Sequence, residues 1–356
     1  MRDIISTLED WLGRYPRVAL ATVISTWGST PRPTGSHMAV NPEGEFVGSV
    51  SGGCVEGAVV EASLEVIRSG EPQLLEFGVA DELAWNVGLA CGGQISVWVV
   101  LLAAGEVFAH IDESLGAGDT VVLVMAVDGA LRGQLAAVGG DRVTATHPAM
   151  VAPAREAAER ALASREPVDL ELEGTRIFAE PHFPPPRLVV IGAVHTAIPL
   201  VSLAKVMGYH TIVVDARAAF ATRERFPDAD ELLVRWPDEA LDQLRPDEGT
   251  AVVVLTHDPK FDEPALSAAL RSRAGYIGAI GSRKTSGERL ERLRALGFGD
   301  AELARIHGPI GLDLGGRTPE EVALAIMAEI VAVRHGRTGG MLGVRPAPPP
   351  RQQISV

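Results

Sequence analysis

Cysteine is scarce in this chain, since only Cys54 and Cys91 among 356 residues carry a thiol. Two cysteines cannot form the disulfide framework of a small secreted domain, although a single bridge stays possible. Basic residues are also outnumbered, with 32 Lys and Arg against 46 Asp and Glu and a net charge of −14. That balance, together with the lack of a Lys/Arg-rich run, argues against a nucleic-acid partner.

Long apolar runs are missing as well. The longest candidates, 95–105 and the Glu-interrupted 322–333, fall short of the roughly 18 to 20 residues that a membrane span needs. The first residues carry acids and lack the apolar core of a signal peptide. We therefore expect a cytoplasmic protein without a membrane span. No internal repeat and no spacing typical of a multi-ligand metal site occur along the chain.

What the chain does contain is ample core material, because 46% of its residues are hydrophobic. Its length predicts two domains. A mixed α+β domain is predicted over 1–180 and a Pro-rich linker over 181–186. A Rossmann-like domain is predicted over 187–337 and a disordered tail over 338–356. The predicted fold class is α/β, with a C-terminal doubly wound parallel sheet preceded by a smaller N-terminal domain.

The stretch 48–56, Gly-Ser-Val-Ser-Gly-Gly-Cys-Val-Glu, is typical of a turn between a strand and a helix. Gly52 and Gly53 permit a tight turn, and the amide groups of the following helix would favour an anion there. Cys54 would lie in the first turn, where the helix dipole favours the thiolate form. The alternative is that Cys54 is a small apolar filler between helix and sheet.

A second Cys-Gly-Gly sequence at 91–93 precedes the apolar strand predicted over 95–102. Both cysteines thus lie beside a glycine pair at a strand edge, which packing alone does not require. The polar loop 28–36 contains Arg32, whose guanidinium could hold a phosphate or a carboxylate. For Cys91 a buried position at the strand end, and for Arg32 a solvated loop position, are the alternatives.

Beyond the prolines, strands and helices alternate. An apolar strand over 187–191 enters Gly192, and the next strand ends on Asp215, an arrangement typical of a dinucleotide-binding βαβ unit. The glycine fingerprint is incomplete, because Val194 stands where a second glycine would let a pyrophosphate approach. His195 follows in the same turn. Later strands end in polar residues that include Ser282 and Arg283, which could bind an anion at the carboxyl edge of the sheet.

Taken together, these motifs resemble those of the xanthine dehydrogenase accessory protein family, of the XdhC/CoxI type. The resemblance covers nearly the whole chain apart from its two ends. The matching motifs are Gly28-Ser-Thr-Pro-Arg32, Gly48-Ser-Val-Ser-Gly-Gly-Cys-Val-Glu56, Cys91-Gly-Gly93, Leu188 to Gly192 with His195, Asp215 and Arg217, Phe226-Pro227, Tyr276-Ile-Gly-Ala-Ile-Gly-Ser-Arg-Lys284 and His307-Gly-Pro-Ile-Gly-Leu-Asp313. The Gly192-Ala-Val-His195 turn departs from the Gly-Ala-Gly-His of the family.

The resemblance implies a carrier and maturation chaperone rather than an enzyme. Such a protein would bind the molybdenum cofactor in its molybdopterin form and support its sulfuration and its insertion into a xanthine dehydrogenase-type enzyme. The implied partners are a molybdenum hydroxylase client and a cysteine desulfurase, and the implied assembly is a homodimer.

We hypothesise that the cofactor binds at the N-terminal turn. The residues of this hypothetical site are Cys54, Gly52, Gly53, Arg32, Cys91 and Glu56. Two other functions stay open. An NAD(P)-dependent oxidoreductase would use the carboxyl edge of the Rossmann-like domain, with Gly192, His195, Asp215, His257, Asp258, Ser282, Arg283 and Lys284. A client-docking protein without a cofactor would need neither site.

Overall fold

A computed structural model describes residues 1–78 and 92–343. The chain divides into two compact units, Met1–Pro184 and Pro185–Val356. The sequence analysis predicts a smaller N-terminal domain, but the N-terminal unit is the longer of the two. It is longer because it contains two sheets with their helices. Residues 344–356 of the predicted tail lie outside the described residues.

The described residues of the N-terminal unit form two five-stranded antiparallel sheets and four α-helices. The first sheet has the order β3-β2-β1-β5-β4 and the second β8-β7-β6-β10-β9. The strands are β1 Arg17–Trp27, β2 His37–Val40, β3 Phe46–Gly48, β4 Gln73–Phe77, β5 Gln94–Ala103, β6 Val121–Ala126, β7 Leu135–Gly139, β8 Arg142–Ala145, β9 Val168–Leu172 and β10 Thr175–His182. The helices are α1 Ile5–Arg14, α2 Glu56–Ser69, α3 Glu106–Ala117 and α4 Val151–Ser164.

Strand β1 shows why the N-terminal unit has two sheets. Alternate residues of β1 point to opposite faces, so Val18 and Leu20 contribute to one apolar core and Ala19 and Ala21 to another. The first core joins the two sheets and the helices α1 and α3. The second lies between the first sheet and α2, while α4 covers the outer face of the second sheet. Burial on both faces explains why apolar residues predominate along β1 from Val18 to Ile24.

The predicted linker 181–186 needs a correction at its start. Strand β10 continues through Pro181 and His182, which pair with Val122 and Val121 of β6. Proline is compatible with this position because β9 pairs only as far as Ala179, so β10 is an edge strand beyond that point. Only 183–186 lies outside a regular element.

The C-terminal unit confirms the predicted Rossmann-like fold. Its six described strands are all parallel, in the order β13-β12-β11-β14-β15-β16. This order reverses direction between β11 and β14, as in dinucleotide-binding folds. The strands are β11 Arg187–Ile191, β12 His210–Val214, β13 Glu231–Leu233, β14 Thr250–Val254, β15 Tyr276–Ala279 and β16 Ile306–His307. The helices are α5 Ala197–Val206, α6 Pro237–Leu244, α7 Pro259–Arg271, α8 Arg283–Ala295, α9 Asp300–Leu303 and α10 Pro319–Arg334.

The last helix, α10, begins with a capping box. The Thr318 hydroxyl accepts a hydrogen bond from the Glu321 amide, the Glu321 carboxylate accepts one from the Thr318 amide, and Pro319 takes the first helical position. None of the helices in the described part of the chain combines the length and the apolar composition that a membrane crossing requires.

Candidate functional site

The turn that carries Cys54 is organised around the carboxylate of Glu56, the first residue of α2. Glu56 is only 7% exposed, and its two oxygens accept six hydrogen bonds from the turn. The donors are the amides of Val50, Ser51, Gly53 and Val55 and the hydroxyls of Ser49 and Ser51. The Gly53 amide is 2.8 Å and the Ser51 amide 2.9 Å from its carboxylate acceptor.

This network fixes the charge of Glu56. Burial alone would raise the pKa of the carboxyl group, but the hydrogen bonds from Ser51 and Ser49 outweigh it and lower the pKa to about 2. The turn therefore binds an anion, as the sequence indicates, and that anion is a carboxylate of the chain itself. The Gly52 amide donates to Ser49 Oγ at 2.9 Å. The amides of Gly52 and Gly53 are thus both engaged in hydrogen bonds within the turn.

Cys54 lies within this turn, two residues before α2 and not in the first turn of that helix as predicted, and it is half-buried. Its side chain packs against the apolar cluster between α2 and the first sheet. Gly52 and Gly53 on its N-terminal side are exposed and adopt positive φ angles of 73° and 112°, which glycine tolerates best. The thiol is therefore held at the border between core and solvent by a turn that its own hydrogen bonds keep rigid.

The Gly28–Arg32 loop packs on this turn, and the glycine pair at 92–93 packs on that loop. Arg32 Nε donates to the Ser49 carbonyl at 3.2 Å. A Cβ placed on Gly52 would lie 3.7 Å from Pro31, so the Gly28–Arg32 loop packs on the turn. A Cβ on Gly93 would lie 2.2 Å from the Ser29 carbonyl oxygen, which only glycine avoids. The second glycine pair thus packs on the same loop. Cys91 itself lies outside the described residues.

In the C-terminal unit, Asp215 directly follows β12 and is 2% exposed. Its carboxylate accepts hydrogen bonds from the amides of Ala193 and Arg217, each at 2.9 Å, and from the Arg217 guanidinium at 2.7 and 2.9 Å. Burial opposes ionisation, but the Arg217 side chain and these amides lower the pKa of Asp215. A ribose hydroxyl would have to compete with these donors for the carboxylate.

The other predicted residues of this unit surround the same edge of the sheet. Gly192 directly follows β11 and has a φ of 101°, and a Cβ there would lie 2.6 Å from the Thr256 side chain. His195 lies in the turn before α5. Ser282 caps α8 by accepting the Thr285 amide at 3.1 Å, and Arg283 is the first residue of that helix. Ser282 therefore acts as a cap, while an anion at this helix start stays a prediction.

Sequence reasoning missed a buried ion pair beneath this edge. Arg289 Nη2 lies 2.7 Å from Asp262 Oδ2, and both side chains are 2% exposed. Asp262 also accepts the Thr256 hydroxyl, and Arg289 donates to the Ile280 carbonyl at 3.0 Å. Because the two residues are distant in sequence and lie on different helices, α7 and α8, no local pattern signals their pairing.

The glycine-rich turn, the Rossmann topology and the loop motifs can be compared with those of known proteins. The family model described as "XdhC and CoxI family" matches residues 11–78, and the model described as "XdhC Rossmann domain" matches residues 188–330. The chain belongs to the XdhC and CoxI family. The first match contains Arg32, Cys54 and Glu56, and the second contains Asp215 and Ser282.

Two relatives of this XdhC and CoxI family member match over most of their length. A probable xanthine dehydrogenase subunit from Bacillus subtilis (strain 168) is 27% identical over 338 residues, 94% of this chain and 98% of the relative. "Molybdenum cofactor insertion chaperone PaoD" of Escherichia coli (strain K12) is 27% identical over 315 residues, 88% of this chain and 83% of PaoD. A crystal structure described as a xanthine dehydrogenase from Bacillus halodurans has a TM-score of 0.73 and 26% identity, and covers 94% of this chain and 96% of the other.

Proposed function

We propose that this chain is an accessory protein that binds molybdenum cofactor and supports its insertion into a molybdenum hydroxylase of the xanthine dehydrogenase type. The observation that carries this proposal is the half-buried Cys54 thiol, fixed on a turn against which the Gly28–Arg32 loop packs, while Gly93 packs on that loop in turn. The relation to the insertion chaperone PaoD supports it independently. The cofactor is the cargo of such a protein, which releases it unchanged or sulfurated to a client.

Cys54 suits this cargo chemically. Molybdopterin presents a metal with sulfur and oxo ligands together with a phosphate, and thiolates are soft ligands. Around the thiol, Gly53 offers an unobstructed surface, since a Cβ there would meet no atom within 4 Å. Arg32 adds a cation that is tied to the same turn through Ser49. In this proposal the molybdenum side of the cofactor approaches Cys54 and the phosphate approaches Arg32.

In this proposal Glu56 has a structural role and does not contact the cofactor. Its carboxylate is occupied by the turn, so it positions Cys54 rather than contacting the cofactor. Gly52 and Gly53 likewise contribute an open surface rather than free amides. The proposal extends to the predicted partners, a molybdenum hydroxylase client and a cysteine desulfurase that supplies sulfur for the sulfuration of the cofactor, and to a homodimeric assembly.

The decisive experiment is the co-expression of the chain with an intact molybdenum cofactor pathway, followed by anaerobic purification. Bound molybdenum and the fluorescent oxidised pterin are then measured in the wild type, in Cys54→Ser and in a control. Glu61→Gln is a suitable control, because Glu61 lies exposed on α2 close to the turn. We expect near-stoichiometric cofactor in the wild type and the control and its loss in Cys54→Ser.

Activation of a client hydroxylase provides a second measurement, with Cys91→Ser tested separately. Full cofactor binding and full client activation by Cys54→Ser would contradict the site. A double cysteine-to-serine variant that still activates the client fully would instead favour a docking protein. Wild type that carries nucleotide and no pterin would move the function to the C-terminal unit.

A further inference from the structure

Three titratable side chains meet inside the N-terminal unit, away from the Cys54 thiol. His37 comes from β2 of the first sheet, and Glu180 and His182 come from β10 of the second. They are 2%, 7% and 8% exposed. One nitrogen or oxygen from each lies within 4.8 Å of those from the other two. Glu180 and His182 are two residues apart on one strand, so they point to the same face of their sheet.

These side chains do not satisfy one another by hydrogen bonding. His37 Nε2 lies 2.8 Å from Glu180 Oε2, which is an ion-pair distance when the histidine is protonated. The two atoms do not have the geometry of a hydrogen bond, and His182 Nε2 is also buried without a hydrogen-bond partner among the described residues. Buried polar atoms are almost always paired, because an unpaired one has lost its hydrogen bonds to water without replacing them. The lone pairs of the two imidazole rings and the carboxylate point toward one another, and they need a partner that accepts lone pairs. A metal cation is such a partner.

The surroundings hold this arrangement in place. His37 Nδ1 lies 3.0 Å from the hydroxyl of Thr22 on β1, which orients the ring and leaves Nε2 facing Glu180. Ligand histidines commonly use their second ring nitrogen in this way. Gly35, at a φ of 85°, passes so close that a Cβ would lie 3.0 Å from Glu180 Oε1. The carboxylate is thus confined on that side by backbone.

We propose that His37, Glu180 and His182 bind one divalent transition-metal ion, with zinc as the representative. Two imidazole nitrogens and one carboxylate form a ligand set that zinc and neighbouring first-row ions prefer, whereas calcium and magnesium prefer oxygen alone. Ligands of a single zinc ion lie roughly 3–4 Å apart, given bonds of about 2.1 Å. Small side-chain movements bring the three residues to that spacing, and a fourth position stays open to another ligand.

The site would connect the two sheets of the unit and brace the Cys54 turn. The His37 carbonyl accepts the amide of Ser49 at 2.9 Å, and Ser49 is the residue at which the turn begins. An ion that fixes His37 would therefore fix the base of the turn as well. This proposal does not depend on molybdenum cofactor binding, because it concerns a different ligand and different side chains.

The test uses the full chain, purified without a metal-binding tag and stripped with a chelator. Zinc is added back in competition with a chromophoric chelator, cobalt is added to read the coordination from its visible absorption, and magnesium and calcium serve as comparison ions. We expect one zinc ion per chain, cobalt bands of a four- or five-coordinate ion, and no competition by magnesium or calcium. Failure of the wild type to bind zinc at a one-to-one ratio would overturn the proposal.

Variants locate the ion. Glu180→Gln and His182→Gln are expected to weaken zinc binding by about 100-fold or more. His110→Gln is the matched control, because His110 is also 2% exposed and is also oriented by a threonine, with Nδ1 3.0 Å from Thr144 Oγ1. Equal zinc affinity in Glu180→Gln and wild type would contradict the assignment.

A measurement on the wild type keeps the test independent of variant folding. In protein labelled with ¹⁵N-histidine, zinc is expected to shift the ring-nitrogen signals of two of the nine histidines. Shifts in other numbers of rings, or no shift at saturating zinc, would refute a site made by His37 and His182.

Discussion

Replacing Glu56 by glutamine tests whether its carboxylate holds the Cys54 turn together. The pKa of this carboxyl group falls from 4.5 to about 2 in the folded protein. That difference of about 2.5 pH units corresponds to about 3 kcal/mol. Because Gly52 and Gly53 on the same turn are exposed, water screens part of the interaction. We therefore expect Glu56→Gln to lower the free energy of unfolding by about 2 kcal/mol.

The pH dependence distinguishes a charge effect from a loss of shape. The folded pKa of Glu56 lies below its unfolded value, so its stabilisation is fully present above about pH 5 and is lost as the pH falls from 4.5 towards 2. Urea unfolding at pH 7 and pH 3 measures this directly. The difference between wild type and Glu56→Gln is expected to shrink by roughly half or more at pH 3.

Local opening is read by hydrogen exchange at the amides of Ser51 and Gly53, which donate to Glu56. Both amides are expected to exchange faster in Glu56→Gln, and to keep their wild-type rates in the exposed helix control Glu61→Gln. Equal stability of wild type and Glu56→Gln at pH 7, or a difference that does not change with pH, would refute the electrostatic account of this turn.

Two further predictions concern one buried contact in each of the two units. Gly93→Ala is expected to lower the free energy of unfolding by about 1–3 kcal/mol, because a Cβ would lie 2.2 Å from the Ser29 carbonyl oxygen. Thermal unfolding measures this loss, with Gly105→Ala as the control because Gly105 has open space around it. Equal melting temperatures of Gly93→Ala and Gly105→Ala would contradict the prediction. Arg289→Met leaves Asp262 buried without its cation and is expected to lower the free energy of unfolding by about 3–5 kcal/mol. Urea unfolding measures this loss, and a variant as stable as the wild type would contradict the prediction.

Much of the fold is predictable from sequence because its elements are locally consistent. The mostly apolar residues after Arg17 form β1. The Thr-Pro-Glu-Glu sequence at 318–321, which is typical of a helix start, begins α10. The parallel sheet follows from the alternation of strands and helices. By contrast, α3 is not among the predicted elements, although Val107, Phe108, Ile111 and Leu115 have helical spacing and are buried in it.

The candidate site was predictable in part. Glycine pairs and a thiol before an apolar helix indicate a rigid turn, and the structure brings these motifs together. What local patterns could not show is that the Glu56 side chain folds back onto the turn, because its acidic type suits a helix start in many other ways. The His37, Glu180 and His182 cluster is even less accessible to sequence reasoning, since 143 positions separate His37 from Glu180 and only the packing of two sheets joins them.

The internal carboxylate of the Cys54 turn also bears on how fast a ligand can be captured. Folding has already paid the entropy of ordering Ser49 to Val55, because Glu56 holds their donors before any ligand arrives. Under the proposed function, a cargo that reaches Cys54 would meet a surface in its final shape, and its association would lose little to conformational search. Release under that function would then depend on the contact with the thiol and would not require the turn to unfold.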